Sequence, residues 1–136
     1  MATLRPTRNY RLPSYAVRDG DAWVAECIPL GVASQGDSLV EALDLLAEGT
    51  DETIANLVAR GMDPLASGRP SEESIAQYAS LQAQAHVEID VLNVPDNVSF
   101  VVFDLLMPIP KQMAAIGSAR PTKRYDGLAA TLPLAC

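Results

Sequence analysis

Cysteine is nearly absent: Cys27 and Cys136 are too few for a disulfide framework and too far apart for a CxxC ligand pair. Cys27 is expected as a core thiol and Cys136 as a terminal one. There is one histidine, His86, with no serine or cysteine nucleophile beside it, so no hydrolase triad is legible and the ring is expected to be structural. Aromatic residues make up 5% of the chain, with a single tryptophan, Trp23. No stretch approaches the roughly 18 uninterrupted apolar residues of a membrane helix. The segment Met1 to Arg11 also lacks the apolar run of a signal peptide, so the expected compartment is the cytoplasm and no membrane partner is expected.

Positive charge is the other scarcity. Lys and Arg number 10 against 17 Asp and Glu, a net charge of −7. The imbalance concentrates in residues 12 to 82, where 3 basic residues face 12 acidic ones, a balance of 3 − 12 = −9. Such a field repels nucleic acid over about a Debye length and speeds encounter with a cationic protein. A purely solubilising role for the charge is the alternative.

With 136 residues and 49% apolar content, the chain has enough material for one substantial core, or a small core and a tail. Met1 to Arg11 carries Arg5, Arg8 and Arg11 with few apolar residues and is expected as a flexible arm. From Leu12 the chain alternates. Tyr15 and Val17, then Trp23, Ala25 and Cys27, flank Arg18-Asp19-Gly20-Asp21, which predicts a β-hairpin. Ile28-Pro29-Leu30-Gly31 interrupts the pairing, and Val32 to Gln35 gives a third strand before Gly36.

Ser38 stands three residues before Glu41, the reciprocal cap of a helix start. Leu39, Ala42, Leu43, Leu46, Thr50, Ile54, Leu57 and Val58 then recur at three- and four-residue steps and form one apolar stripe. Arg60 and Gly61 mark its end. Glu41, Asp44, Glu48, Asp51 and Glu52 lie on the opposite, solvated face. Ser71-Glu72-Glu73-Ser74 opens a short helix to about Leu81, and Val87, Ile89 and Val91 alternate as a strand expected to close the first sheet. Val98 to Met107 is a dense apolar run ended by Pro108-Ile109-Pro110. Lys111 to Ala119 and Thr122 to Leu132 are each expected as helices, divided by Arg120-Pro121.

The pattern Pro29-Leu30-Gly31, then Gly36-Asp37-Ser38 and Glu41-Ala42, over residues 14 to 61, resembles the HicB family of toxin–antitoxin systems. The resemblance implies a type II antitoxin of α+β class: a small antiparallel sheet with one packed helix, β-β-β-α-β, in a partial RNase H-like arrangement over residues 12 to 92. It also implies a small basic, HicA-like, mRNA-cleaving toxin as the partner to be occluded. Residues 98 to 136 resemble, more remotely, the ribbon-helix-helix tail with which such proteins form a homodimer or dimer of dimers and grip operator DNA to regulate transcription of their own operon.

Catalysis is not expected. RNase H chemistry needs several carboxylates around two divalent metals, one of them on the first strand, and Leu12 to Val17 contains no acid. No cofactor and no metal is expected either. Asp19, Asp21 and Glu26 are the candidate contacts to toxin cations, with Trp23, Ile28 and Leu30 as candidate apolar contacts, although Trp23 reads better as core. For DNA the candidates are Asp104, Lys111, Thr122, Lys123 and Arg124. If Phe103, Leu105 and Met107 face the core, Val102, Asp104 and Leu106 form the other face, and a carboxylate between two aliphatics is a poor reader of a phosphate-lined groove. A dimerising ribbon is therefore preferred over a reading one. A transcriptional repressor acting through the tail, and an orphan interaction protein of the same fold, are the competing functions.

Overall fold

The computed structural model describes residues 9–90, 93–108 and 125–130. They form an α+β fold with nine elements. These are β1 (Asn9–Asp19), β2 (Ala22–Cys27), β3 (Val32–Gly36), α1 (Leu39–Ala59), α2 (Pro64–Ser67), α3 (Glu72–Gln84), β4 (Val87–Glu88), β5 (Phe100–Pro108) and β6 (Tyr125–Ala130). The strands make one sheet in the order β3-β2-β1-β5-β6-β4, with every pair antiparallel.

The first hairpin follows from its turn. Asp19 pairs Ala22 around Gly20-Asp21, and Gly20 has φ 62 while among the described residues no non-glycine has positive φ. Glycine at the first central position with a normal φ after it matches the II′ turn, whose twist suits a two-residue hairpin. Alternation along β1 then divides the sheet into two faces. Leu12 and Ala16, with Trp23, Ala25 and Cys27 of β2 and Val101, Phe103, Leu105 and Met107 of β5, are buried under α1. Tyr15, Ile28 and Val102 are buried on the opposite face, where Tyr78 and Leu81 of α3 and its C-cap Ala85 pack.

Helix α1 starts and stops where its sequence directs. Glu41 N–H donates to Ser38 Oγ at 3.1 Å, and the Glu41 carboxylate accepts from Asp37 N–H at 2.8 Å, one residue earlier than the usual reciprocal bond. Gly61, at φ 72, follows the C-cap Arg60. Leu39, Ala42, Leu43, Leu46, Thr50 and Ile54 of the predicted stripe are buried, whereas Val58 is exposed. Each large aliphatic side chain so covered contributes about 2 kcal/mol of transfer free energy. Gly36 sets how closely the helix sits on the sheet: a Cβ there would lie 2.6 Å from Ala42 N and 3.0 Å from the carbonyl carbon of Glu41.

Four expectations are corrected. Residues 9–11 are not part of a mobile arm; they pair with Pro108, Met107 and Leu106 of β5, a partner nearly a hundred residues away. The helix expected over Thr122 to Leu132 is absent from its described part, because Tyr125–Ala130 is strand β6, with Gly127 at φ 69. The strand near residue 87 is reduced to Val87–Glu88 and sits at the far edge against β6, not against the first three strands. The run 98–107 is strand from Phe100 onward, as β5, but β1 holds one of its edges from Asn9 to Val17 and β6 holds the other at Val102, Asp104 and Leu105. A ribbon exchanged between two chains needs an edge that β5 does not have free, so the regions 12–92 and 98–136 share one sheet through it. The expected helix at Lys111 to Ala119 lies outside the described residues. No helix among those described is long and apolar enough to cross a membrane.

Candidate functional site

Three groups of polar side chains stand out, two built by strand alternation and one by a turn and a helix face. Glu26 lies between Ala25 and Cys27, both buried under α1, so its side chain projects to the α3 face. There it meets Tyr15 from its β1 partner position, whose hydroxyl donates to Glu26 Oε1 at 2.8 Å. Ser74, in the first turn of α3, donates to Glu26 Oε2 at 2.5 Å, and its own N–H is capped by Ser71 Oγ at 3.0 Å. Tyr15 Oη also lies 3.2 Å from Gln77 Oε1. The hydroxyl has one proton, and the shorter contact directs it to Glu26. Burial, reinforced by the hydrogen bond to the Glu26 carboxylate, pushes the Tyr15 phenol up to about 12. Chemically the network is a clasp. It ties the start of α3 to β1 and β2, and every hydroxyl in it is committed.

The second group joins three strands. Arg11 of β1 donates from Nη2 to Asp104 of β5 at 3.0 Å and to Asp126 of β6 at 2.5 Å. The two carboxylates hold the Arg11 guanidinium above its ordinary pKa. The group borders a shallow cleft of about 240 Å³, lined by Tyr78, Gln82, Asp104, Asp126 and Gly127. That is below the roughly 300 Å³ at which small-molecule pockets begin.

The third group is the acidic exterior. Asp19 and Asp21 are exposed at the hairpin tip, and Asp37, Glu41, Asp44, Glu48, Asp51 and Glu52 are exposed along and before α1. Near this helix start is a second cleft of about 320 Å³, between Arg18, Trp23, Ser38 and Val94. Arg18 caps it: its guanidinium lies over the Trp23 ring, 5.0 Å from the centroid, and donates to the Asp96 carbonyl at 3.1 Å.

Among the expected contacts to a basic partner, Asp19 and Asp21 are therefore on the surface, and Glu26 is half-buried in the clasp. Trp23, Ile28 and Leu30 are 4%, 7% and 8% exposed and pack within this chain. Of the DNA candidates, Asp104 is paired with Arg11, while Lys111, Thr122, Lys123 and Arg124 lie outside the described residues. His86 is exposed, with Nδ1 2.8 Å from the Gln84 carbonyl. Among the described residues no three His, Cys, Asp or Glu side chains gather in a geometry that could hold a metal ion. Cys27 is buried, and burial raises its thiol, so it is a poor nucleophile.

The clasp and the Arg11 bridge were not foreseen. Their members are 11, 48, 62, 93 and 115 residues apart, beyond any local pattern; the one available signal was that Glu26 must face away from its buried neighbours Ala25 and Cys27. Comparison with protein-family models, with curated proteins and with solved structures finds no significant match to this chain.

Proposed function

We propose that this protein is a HicB-like antitoxin, a binding protein that covers a small basic, HicA-like, mRNA-cleaving toxin. The reading takes β1 to β3 and α1 as the partial RNase H-like unit of the family, with Gly36-Asp37-Ser38 as the turn that lets the helix close on the sheet. The observation that carries it is the exposed acidic surface of that unit, from Asp19 and Asp21 at the hairpin tip to Glu41, Asp44, Glu48 and Glu52 on α1. Carboxylates so displayed raise the encounter rate with a cationic partner and contribute less to the lifetime of the complex. The polar side chains on the other face are engaged with one another, which favours a structural part for them over a catalytic one.

The test is the product of an adjacent small basic reading frame, mixed with the full chain. Wild type is expected to bind it with an association rate that falls steeply with salt. The double variant Asp19→Lys, Asp21→Lys is expected to lower that rate about tenfold while leaving dissociation nearly unchanged. A basic neighbour that does not bind, or binding insensitive to salt and to charge reversal, overturns the proposal.

A further inference from the structure

We propose that two copies of this chain join edge to edge through β3, extending the sheet across a two-fold axis centred on Ser34. The proposal is independent of the antitoxin reading and rests on hydrogen-bond direction. In the first hairpin, Asp19 and Ala22 close a two-residue turn and therefore bond to each other, so Val24 and Glu26 direct their main-chain groups to β1. Trp23, Ala25 and Cys27 direct theirs to β3, where they meet Gly36, Ser34 and Val32. Ala33 and Gln35 consequently point their N–H and C=O groups away from the sheet. β3 is the last strand on that side, and no strand among the described residues pairs with its outer edge.

Exposed edges of soluble proteins are commonly blunted by lysine, proline, a bulge or extreme shortness. The opposite edge, β4, has two residues and carries Glu88. β3 has none of these devices: Val-Ala-Ser-Gln-Gly is uncharged, free of proline, and continuous in register with β2. It is also self-complementary. With Ser34 facing the partner's Ser34, Ala33 meets the partner's Gln35 and Gln35 meets the partner's Ala33, which makes four main-chain hydrogen bonds. The first acid beyond the strand, Asp37, falls opposite the partner's Gly31, so no carboxylate opposes another along the ladder.

The helix above the edge supplies apolar area. Ser34 Oγ donates to the Ala42 carbonyl at 2.6 Å, and a Cβ on Gly49 would lie 3.1 Å from Val32 Cγ1. The flank of α1 that carries Ala42 and Gly49 therefore lies over β3. Leu45 sits between them on this flank and is 43% exposed, although its neighbours on the outer side of the helix are acidic. Across the two-fold axis Leu45 approaches the partner's Leu45.

Sedimentation equilibrium of the full chain is expected to show a dimer. Ala33→Pro removes an N–H that the monomer does not use and is compatible with an edge position. It is expected to raise the dimer dissociation constant at least about tenfold with an unchanged far-UV circular dichroism spectrum. Gln35→Lys, which places charge on the edge, is expected to do the same and serves if the proline variant fails to fold. Ser34→Cys is expected to give an oxidised covalent dimer that wild type does not form, because directly opposed residues of a non-hydrogen-bonded pair approach to disulfide distance. A wild-type monomer up to roughly millimolar concentration overturns the proposal. So does a dimer that survives both edge variants, or a Ser34→Cys protein that crosslinks no more than wild type.

Discussion

Replacing Gly36 by alanine tests the contact on which the helix–sheet geometry depends. The new methyl group would be placed 2.6 Å from Ala42 N and 3.0 Å from both the carbonyl carbon and Cβ of Glu41. Two of the three obstacles are main chain in the first turn of α1, so no rotamer change relieves them. Either the strand end or the helix start must shift. Overpacking of this kind costs about 3 kcal/mol at the upper end of its usual range. Alanine also restricts the unfolded chain, which returns about 0.7 kcal/mol. The net loss is roughly 2 kcal/mol, a fall in Tm of about 8 °C for a domain of this size. Urea unfolding with an unchanged m-value checks the magnitude, and hydrogen exchange at Glu41 and Ala42 should rise, since lifting the first turn loosens the Ser38 cap. Gly20→Ala is the control: its Cβ meets nothing within 4 Å, but φ 62 makes the substitution cost about 1 kcal/mol through backbone strain alone. A loss below about 0.5 kcal/mol for Gly36→Ala, or one smaller than for Gly20→Ala, refutes the argument that close approach demands the glycine.

Alkaline pH should unfold the protein through Tyr15. Its folded pKa of about 12 lies above the ordinary value of 10.0, so its contribution is complete below pH 10 and is lost as pH rises through 12. Cys27, Tyr10 and Tyr78 are also raised, chiefly by burial, and act in the same sense. Tyr15→Phe should flatten the pH dependence of urea stability between pH 10 and 12, and an unchanged slope there would contradict the clasp. Thr50→Val should be neutral or stabilising by about 1 kcal/mol, because among the described residues the buried Thr50 Oγ1 has no hydrogen-bond partner beyond the weak one offered by the Cys27 thiol, and valine keeps the shape. A clear destabilisation in thermal melts would mean that the hydroxyl is satisfied after all.

Local signals carried much of this fold. The Ser38 cap, the Gly61 stop and the three- and four-residue spacing of α1 are contained within single turns of helix, so they read directly. The alternation of Phe103, Leu105 and Met107 against Val102 and Asp104 likewise assigned the two faces of β5 from sequence. What failed was every feature decided by a distant partner. Asn9, Tyr10 and Arg11 have no apolar stripe of their own and become strand because β5 offers them a ladder. Pro13 argues against a central strand, yet it is tolerated because β2 has ended at that point and Ile28 N–H bonds to the Pro13 carbonyl. Leu128 to Ala130 are helix formers, and pairing with β5 and β4 overrode that preference. The candidate site divides the same way. Exposure of Asp19 and Asp21 follows from their turn, whereas the partners of Glu26 and Asp104 come from other elements.

The pairing of β1 with β5 has a consequence for synthesis. Nine residue pairs, from Asn9 with Pro108 to Val17 with Phe100, join segments separated by about eighty residues or more of intervening chain. At roughly 5–20 residues per second, some 4–16 s separate the emergence of the two strands from the ribosome. Throughout that interval β1 can pair with β2 but has an open edge on its other side. The protein is therefore most exposed to misassembly before its last forty residues exist, and a chain truncated before Phe100 is expected to be aggregation-prone.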